Sequence, residues 1–353
     1  MRIVVAMSGG VDSSVAAALL AEQGHEVIGL SMQLYDQREG GADFGSCCSI
    51  DDLEDARRVA SLLRIPHYIV NFEKQFDAQV ISPFVREYTM ARTPIPCVQC
   101  NGGLKFTNLL ERAKGFDASY VSTGHYARVG HGPDGLYKLY RGLDRDKDQS
   151  YFLFTLTQSQ LAYANFPLGE LRKSEVREYA DTFGLPVAAK PDSHEICFVP
   201  DGNYADFVER RTSGNIEPGP ITNTDGQVLG QHAGIHRYTV GQRKGLGISN
   251  PEPLYVVALN ARNRTVTVGP RSAIERTSLQ ASAINWIAGT PPDDLFRVTA
   301  QIRHHQSEAT ATLHIKDAST ASLEFDEPQH GISPGQAAVF YDGDVVVGGG
   351  WID

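Results

Sequence analysis

An α/β fold opens this 353-residue chain: a parallel sheet with helices on both faces is predicted over residues 1–205, followed by a small central β-rich domain over 206–275 and a C-terminal β-barrel-like domain over 276–353. Three observations predict it. The apolar strand Arg2-Ile-Val-Val-Ala-Met7 runs straight into a Ser-Gly-Gly turn and then a helix. Strand-like and helix-like stretches then alternate as far as Thr123, which is the pattern of βαβ crossovers. Beyond Asp201 the helical periods give way to short β-branched stretches separated by Gly and Asn.

The elements follow in order. Val11 to Gln23 places Val15, Ala16, Leu19 and Leu20 on one helical face, and His25 to Gln33 returns as a strand, completing a βαβ unit. Ser49-x-x-Asp52 resembles a helix cap and precedes Leu53, Ala56, Ala60 and Leu63 at helical spacing; Pro66 then introduces a strand over His67 to Asn71. Lys74 to Ala91 and Leu104 to Lys114 are expected helices, and Ala118 to Thr123 a short strand ending at Gly124-His125. Residues Asp201 to Asn215 lead through Glu217-Pro-Gly-Pro220 into strands expected at Leu254 to Leu259, Thr265 to Val268, Arg297 to Ile302, Ala309 to Ile315 and Ala337 to Tyr341. A second boundary is expected near Ser272 to Gln280.

Composition narrows the class. With 41% hydrophobic and 21% charged residues the chain is an ordinary globular protein. No apolar run approaches the ~18 residues that span a bilayer, and a first strand at Arg2 leaves no room for a signal peptide, so a cytoplasmic protein with no membrane partner is expected. Five cysteines in 353 residues are too few for a disulfide scaffold, so any disulfide should be catalytic or transient. The net charge of −10 argues against nucleic acid, but its distribution is uneven. Gln231 to Lys316 carries 10 Lys+Arg against 5 Asp+Glu, which permits a local phosphate footprint; a solvated surface of mixed charge fits the same count.

Ser8-Gly9-Gly10-Val11-Asp12-Ser13-Ser14 is suited to pyrophosphate. Glycines let the backbone approach an anion, the N–H groups and dipole of the next helix face it, and Ser8, Ser13 and Ser14 add hydroxyl donors. The turn lacks the Lys-Ser/Thr of a Walker loop and the three spaced glycines of a dinucleotide fingerprint. It resembles the SGGxDS PP-loop of ATP pyrophosphatases, which implies cleavage of ATP between the α and β phosphates and adenylation of a substrate oxygen. Ligands of parallel sheets lie beyond the carboxyl ends of the strands. Met32 and Gly124 fall on that edge as candidate borders of the adenine, although a Met there also fits plain core.

Cys97-Val-Gln-Cys100 follows Thr93-Pro-Ile-Pro96, and Cys197 stands 97 residues after Cys100. A lone CxxC fits a redox pair or half of a zinc site, but neither a second CxxC nor a ligand-spaced His pair accompanies it, which disfavours structural zinc. Beside an ATP-splitting loop the thiols suggest sulfur delivery: ATP turns a carbonyl oxygen into a leaving group, one cysteine carries sulfur as a persulfide, and the other resolves it by thiolate exchange. Cys47 and Cys48 read as bystanders.

Together with Asn101, Lys105-Phe106, Thr123-Gly-His-Tyr-Ala-Arg128, Asp146-Lys-Asp-Gln-Ser-Tyr-Phe152 and Tyr238-Thr-Val-Gly-Gln-Arg-Lys-Gly-Leu-Gly247, these motifs make the chain resemble the bacterial tRNA-specific 2-thiouridylases over nearly its whole length. The resemblance implies ATP- and Mg2+-dependent replacement of the 2-oxygen of the wobble uridine by sulfur, in tRNAs with Lys, Glu and Gln acceptors, with a cysteine desulfurase or relay protein as sulfur donor. It implies that Cys100 is the nucleophile and Cys197 the persulfide carrier, and that Ala6, Met7, Ser8, Gly9, Gly10, Val11, Asp12 and Ser13, with Met32 and Gly124, contact ATP. Asp12 is expected to help hold the metal. It further implies that Lys147, Asp148, Gln149, Ser150, His125, Arg303, His304 and Gln336 contact tRNA, through the C-terminal domain among others; a charged turn at Lys147 to Ser150 and a solvated strand edge at Arg303-His304 are the plainer alternatives. Members of that family carry an Asp, proposed to relay protons, where this chain has Cys97. A thiol with a pKa near ~8.5 still exchanges protons at neutral pH. Alternatively Cys97, Cys100 and Cys197 ligate an iron–sulfur cluster with one iron open to sulfide. The separation of Cys100 and Cys197 leads us to expect motion of Ser193 to Pro200 when tRNA binds. The other enzymatic alternative is a PP-loop synthetase that adenylates a small-molecule carbonyl.

Overall fold

The computed structural model describes residues 1–35, 50–192, 196–199, 202–212, 214 and 216–353. Cys47, Cys48, the Ser49 cap and part of the Ser193 to Pro200 stretch lie outside the described residues.

A five-stranded parallel sheet organises the first 200 residues in the order β3-β2-β1-β4-β7, with β1 at Arg2–Ala6, β2 at Glu26–Gln33, β3 at His67–Asn71, β4 at Tyr120–Ser122 and β7 at Ala164–Asn165. Strand alternation sorts the side chains onto two faces. Ile3, Val5, Met7 and Val27 point to one face, where α1 (Val11–Glu22), α2 (Ile50–Leu63) and α8 (Lys173–Thr182) cover them. Val4, Ile28, Leu30, Met32 and Val121 point to the other. That second face is covered by the helical run Glu73–Thr89, by α6 (Phe106–Gly115), and by Phe198, Val199 and Val208. Helix α1 is buried nearly all round, including Ser13 and Ser14, because it is wedged between the sheet and two other helices.

Both expected helices on the second face are interrupted by π-helical turns. Glu73–Thr89 contains one at Asp77–Ile81, and the helix expected at Leu104 begins eight residues earlier as α5 (Pro96–Gln99), passing through a π turn at Cys100–Lys105 into α6. The second turn is explained by packing: a Cβ on Gly102 would lie 2.3 Å from Thr155 Oγ1, so the backbone is pressed against the 150–160 stretch.

The C-terminal half comprises two sheets. The central sheet has the order β10-β11-β8-β9, from Tyr255–Asn260, Thr265–Gly269, Gly219–Thr222 and Val228–His232, with β11 and β8 parallel. The last six strands are β12 (Glu275–Trp286), β13 (Leu295–Gln301), β14 (Ala309–Ile315), β15 (Ala321–His330), β16 (Ala337–Asp342) and β17 (Val345–Ile352). They run β12-β15-β14-β13-β16-β17, and pairing of β12 with β17 closes them into a barrel around Leu313, Leu323, Ala338 and Phe340. A hairpin of β5 (Ala127–His131) and β6 (Tyr137–Arg141) leaves the parallel-sheet domain and attaches to this barrel through Tyr140 and Val345. Nothing in the strand pattern of the sequence marked it.

Candidate active site

The carboxyl end of β1 delivers Ala6 and Met7 into the turn Ser8 to Ser13. Gly9 sits at φ +77°, and a Cβ there would lie 2.1 Å from the Asp52 carbonyl oxygen, so glycine is required both by conformation and by contact with α2. No side chain caps α1 at Gly10, an arrangement that leaves the N–H groups of the first helical turn suited to an anion. The hydroxyls serve the turn itself: Ser13 Oγ accepts from Ser8 N at 3.1 Å and lies 3.2 Å from Ser8 Oγ. Gly124 follows β4 and closes one side, where a Cβ would lie 2.7 Å from the backbone between Asp12 and Ser13. Met32 is buried near the end of β2 on the second face. The same edge of the sheet thus holds every residue expected to contact ATP.

Charged side chains crowd the turn. Lys173 Nζ lies 2.8 and 2.9 Å from the two oxygens of Asp12, and the Tyr126 hydroxyl donates to Asp12 at 2.8 Å. Burial, with Asp12 beside it, pushes the Tyr126 phenol far above its ordinary range, so it stays protonated. Lys173 also meets Asp192 at 2.7 Å, as do Lys147 at 2.7 Å and Arg177 at 2.9 Å. Burial disfavours the Asp192 carboxylate, but the bonds from Lys147 and Lys173 outweigh it and hold the carboxyl well below the usual range. On the opposite flank Lys190 donates to the Gly9 carbonyl at 3.0 Å and pairs with Asp52 and Asp55 at 2.5 and 2.6 Å. Tyr126 stood in a sequence motif without a role of its own, and Lys173, Lys190 and Asp192 belonged to no motif. The one available signal was the lack of any Lys or Arg inside the turn itself.

The thiols occupy the second face. Cys97 is exposed on α5, Cys100 is buried at the start of the π turn, and Cys197 is half-buried; none is in a disulfide. Cys100 and Cys197 belong to the same apolar cluster, packed with Phe76, Phe84 and Phe198. The Tyr35 hydroxyl, just past β2, donates to the Cys197 carbonyl at 3.1 Å. π-helical turns are frequent at functional sites, and this one carries Cys100. Among the described residues no three His, Cys, Asp or Glu side chains are grouped to hold a metal ion. Cys97, Cys100 and Cys197 accordingly do not form such a group in this structure.

The residues expected to meet RNA fall into two groups. Lys147 to Ser150 form a turn beside the nucleotide loop, and Gln149 accepts from Tyr126 N at 3.0 Å. Asp148 is wholly engaged inward, with Arg141 at 3.0 Å, Gly142 N at 2.9 Å and Ser150 Oγ at 2.9 Å, and Ser150 is buried. His125 is held between Phe106 and Phe166 with Nδ1 2.6 Å from Thr123 Oγ1, and burial, with Lys105 nearby, lowers its pKa to about 3. Arg303, His304 and Gln336 line an open cleft of about 540 Å³ with Thr93 and Thr239, so all three domains contribute to it. Arg303 donates to the carbonyls of Val240 at 2.8 Å and Gly331 at 2.9 Å, while the His304 ring lies 4.3 Å from that of Phe152, tilted by 39°. Gln336 donates to the Thr93 carbonyl at 3.0 Å, four residues before Cys97.

A glycine-serine anion loop at the edge of a parallel sheet, with cysteines on the adjoining face and two β domains behind, defines a nucleotide-using enzyme of the PP-loop class. The family described as tRNA methyl transferase HUP domain matches residues 1–201, the associated PRC-barrel domain residues 205–270, and the aminomethyltransferase β-barrel domain residues 276–352. A protein of Geotalea uraniireducens named tRNA-specific 2-thiouridylase MnmA is 54% identical over 100% of this chain and 95% of its own length. Those of the same name from Geobacter metallireducens and Halothermothrix orenii are 51% identical over 100% and 96%, and 49% identical over 99% and 98%. The chain belongs to the tRNA-specific 2-thiouridylase family.

Proposed function

We propose that this enzyme is a tRNA-uridine 2-sulfurtransferase that thiolates the wobble uridine at the expense of ATP. The observation that carries the reading is the full-length match to 2-thiouridylases; its support in the fold is that Cys100 and Cys197 share one apolar cluster on the sheet whose β1 leads into the Ser8 to Ser13 turn. The anticodon loop docks over that edge, with the cleft at Arg303, His304 and Gln336 and the turn at Lys147 receiving it, and the target base is turned out of its stack. The 2-oxygen attacks the α phosphorus of ATP and pyrophosphate leaves, its charge offset by the Ser8 to Ser13 turn and the α1 dipole. Asp12 is the residue that would hold Mg2+, which takes one or two carboxylates together with substrate phosphates and supplies charge neutralisation there. The terminal sulfur of a Cys197 persulfide attacks carbon 2 and AMP leaves. Cys100 thiolate then attacks the Cys197 sulfur, the S–S bond to the transferred atom breaks, and its electron pair stays with the new thiocarbonyl. Two thiols have become a Cys100–Cys197 disulfide, which a reductant must reopen. Cys97 serves as proton relay in place of the Asp of other family members. The acceptor tRNAs are those for Lys, Glu and Gln, and a cysteine desulfurase or relay protein charges Cys197.

Transfer of radiolabelled sulfur from a cysteine desulfurase to unmodified tRNA tests this. Label should enter the wobble base with ATP and vanish without ATP or in Cys197→Ser. Formation of AMP and pyrophosphate without label in RNA would instead favour a small-molecule synthetase.

A further inference from the structure

The backbone that carries Cys197 is held from two sides. Val199 N–H donates to the Ile196 carbonyl at 2.8 Å, which makes Cys197 and Phe198 the two central residues of a tight turn. Phe198 is buried, edge-on to Phe84 at 5.1 Å and to Phe76 at 5.6 Å, and so fastens the turn to the helical run on the second face of the sheet. In such a turn the carbonyl of the first central residue takes no part in the closing bond and needs a partner of its own. For Cys197 that carbonyl accepts from the Tyr35 hydroxyl at 3.1 Å.

Tyr35 is a fixed point from which to hold it. It lies just past the end of β2, and the intervening Leu34 is buried in the cluster on the second face. Gln33, the last residue of β2, is tied to the end of β3: its carbonyl accepts from Phe72 N–H at 2.8 Å and its side chain donates to Glu73 at 2.6 Å. The Tyr35 ring packs against the same cluster as Cys100 and Cys197, and an aromatic side chain has few torsions to lose when it is held. Its bond to Cys197 spans 162 residues of sequence. It joins the carboxyl edge of the sheet, where Met32 ends the run of buried β2 residues, to the sulfur-bearing turn. The peptide plane that follows the first central residue is also the one that differs between the two commonest tight turns, by about 150° in ψ. A donor on that carbonyl therefore selects one backbone orientation for Cys197.

We propose that Tyr35 is a positioning residue for sulfur transfer, whose hydroxyl fixes the backbone of Cys197 at the carboxyl edge of the sheet so that the sulfur carried there starts from one direction. The inference rests on the reading of Cys197 as the persulfide carrier and adds to it the group that aims the carrier. Tyr35 acts through the Cys197 backbone, and no covalent bond to it is made or broken. Its contribution is one of orientation: a reacting atom held in line spends less of the barrier on finding its target.

Tyr35→Phe removes only the hydroxyl oxygen and tests this in single turnovers of the full chain. Cys197 is first loaded with radiolabelled sulfur by a cysteine desulfurase and then mixed with saturating ATP and unmodified tRNA, and pyrophosphate release and label in RNA are followed together. Label transfer should slow roughly five-fold, the worth of one neutral hydrogen bond, while pyrophosphate release and the loading of Cys197 stay within about two-fold of wild type. On the unloaded enzyme, alkylation of Cys197 by iodoacetamide, located by mass spectrometry, should quicken by a similar factor while that of Cys100 is unchanged. Label transfer at the wild-type rate would overturn the proposal, and so would unchanged alkylation of Cys197. Equal slowing of pyrophosphate release and label transfer would overturn it as well, because Tyr35 would then serve the nucleotide edge alone. A wild type that releases pyrophosphate but passes no label to RNA would sink the persulfide reading itself, a result seen without the variant.

Discussion

Replacing Arg141 with Met should loosen the turn that carries Lys147 to Ser150 without touching the nucleotide loop. Arg141 ends β6 and is almost fully buried, with its side chain 8% exposed and that of its partner Asp148 6% exposed. It donates to Asp148 at 3.0 Å and Gln301 at 3.3 Å, pairs with Glu308, and lies 3.4 Å over the Tyr341 ring. Removing one member of a buried pair costs about 3–5 kcal/mol, because the other charge is left desolvated. The ring contact is worth about 2 kcal/mol when dry, whereas Glu308 is 44% exposed and its pairing is discounted for screening. These terms overlap, and Arg141 Nε is buried without an acceptor, so the lower figure of about 3 kcal/mol is expected. The amides that report it are Gly142 and Ser150, both donating to Asp148 Oδ1. At about 1.4 kcal/mol per decade their hydrogen exchange should quicken by about a hundred-fold, while the amides of β1 stay as protected as before. Exchange at Gly142 and Ser150 within about ten-fold of wild type would refute the view that this one guanidinium holds the turn to the barrel.

Three further outcomes follow from the geometry. Gly9→Ala adds the ~1–2 kcal/mol cost of a left-handed residue to a Cβ only 2.1 Å from the Asp52 carbonyl oxygen, so ATP binding by calorimetry should weaken by at least about ten-fold while the circular dichroism spectrum is kept; wild-type affinity would show the loop to be more pliable than drawn. Lys190→Met takes one cation from Asp52 and Asp55 and should cost ~2–3 kcal/mol, read as faster hydrogen exchange in the first turn of α2 together with weaker nucleotide binding; unchanged exchange would mean that the pair is screened. His125 titrates near 3 when folded and near its ordinary 6.5 when unfolded, so the unfolded chain binds the extra proton and stability falls as pH drops below 6.5. Denaturant unfolding at pH 7.5 and 5.5 should show wild type losing ~1 kcal/mol more than His125→Gln, and equal losses would place the imidazole in water.

Whatever depends on neighbours in sequence could be read beforehand, and what depends on distant partners could not. The turn from Ser8 to Ser13 announced itself because strand, glycines and helix are contiguous. The periods of α1 and α2 were legible for the same reason. The β5–β6 hairpin was not, because its partner is Val345, some 200 residues on, and a five-residue strand with one apolar face reads like a surface loop. The π turn at Cys100 was likewise hidden: its backbone is set by the approach of Gly102 to Thr155, a contact that helical propensity does not encode. Lys173 and Asp192 looked like ordinary solvated charges until the fold brought each to the loop.

Those distant contacts converge on one stretch of chain, residues 123 to 150. Gly124 abuts the backbone of Asp12 and Ser13, the Tyr126 hydroxyl holds the Asp12 carboxylate, and the Tyr126 amide holds Gln149. The hairpin between them reaches the barrel at Val345, and Arg141 at its end returns to Asp148. A single continuous segment therefore touches the nucleotide turn, the turn expected to meet RNA and the barrel that lines the open cleft. Because these contacts are short hydrogen bonds, a backbone-to-backbone approach and one buried ion pair rather than exposed, flexible pairs, the spacing of these three surfaces is set by the fold before any ligand arrives. An enzyme that must place a nucleotide phosphorus, a base oxygen and a sulfur within bonding distance of one another gains most from this kind of fixed spacing. The ion pairs nearest the nucleotide turn are of the other kind: Lys173 divides its ammonium between Asp12 and Asp192, and Lys147 shares Asp192 with it.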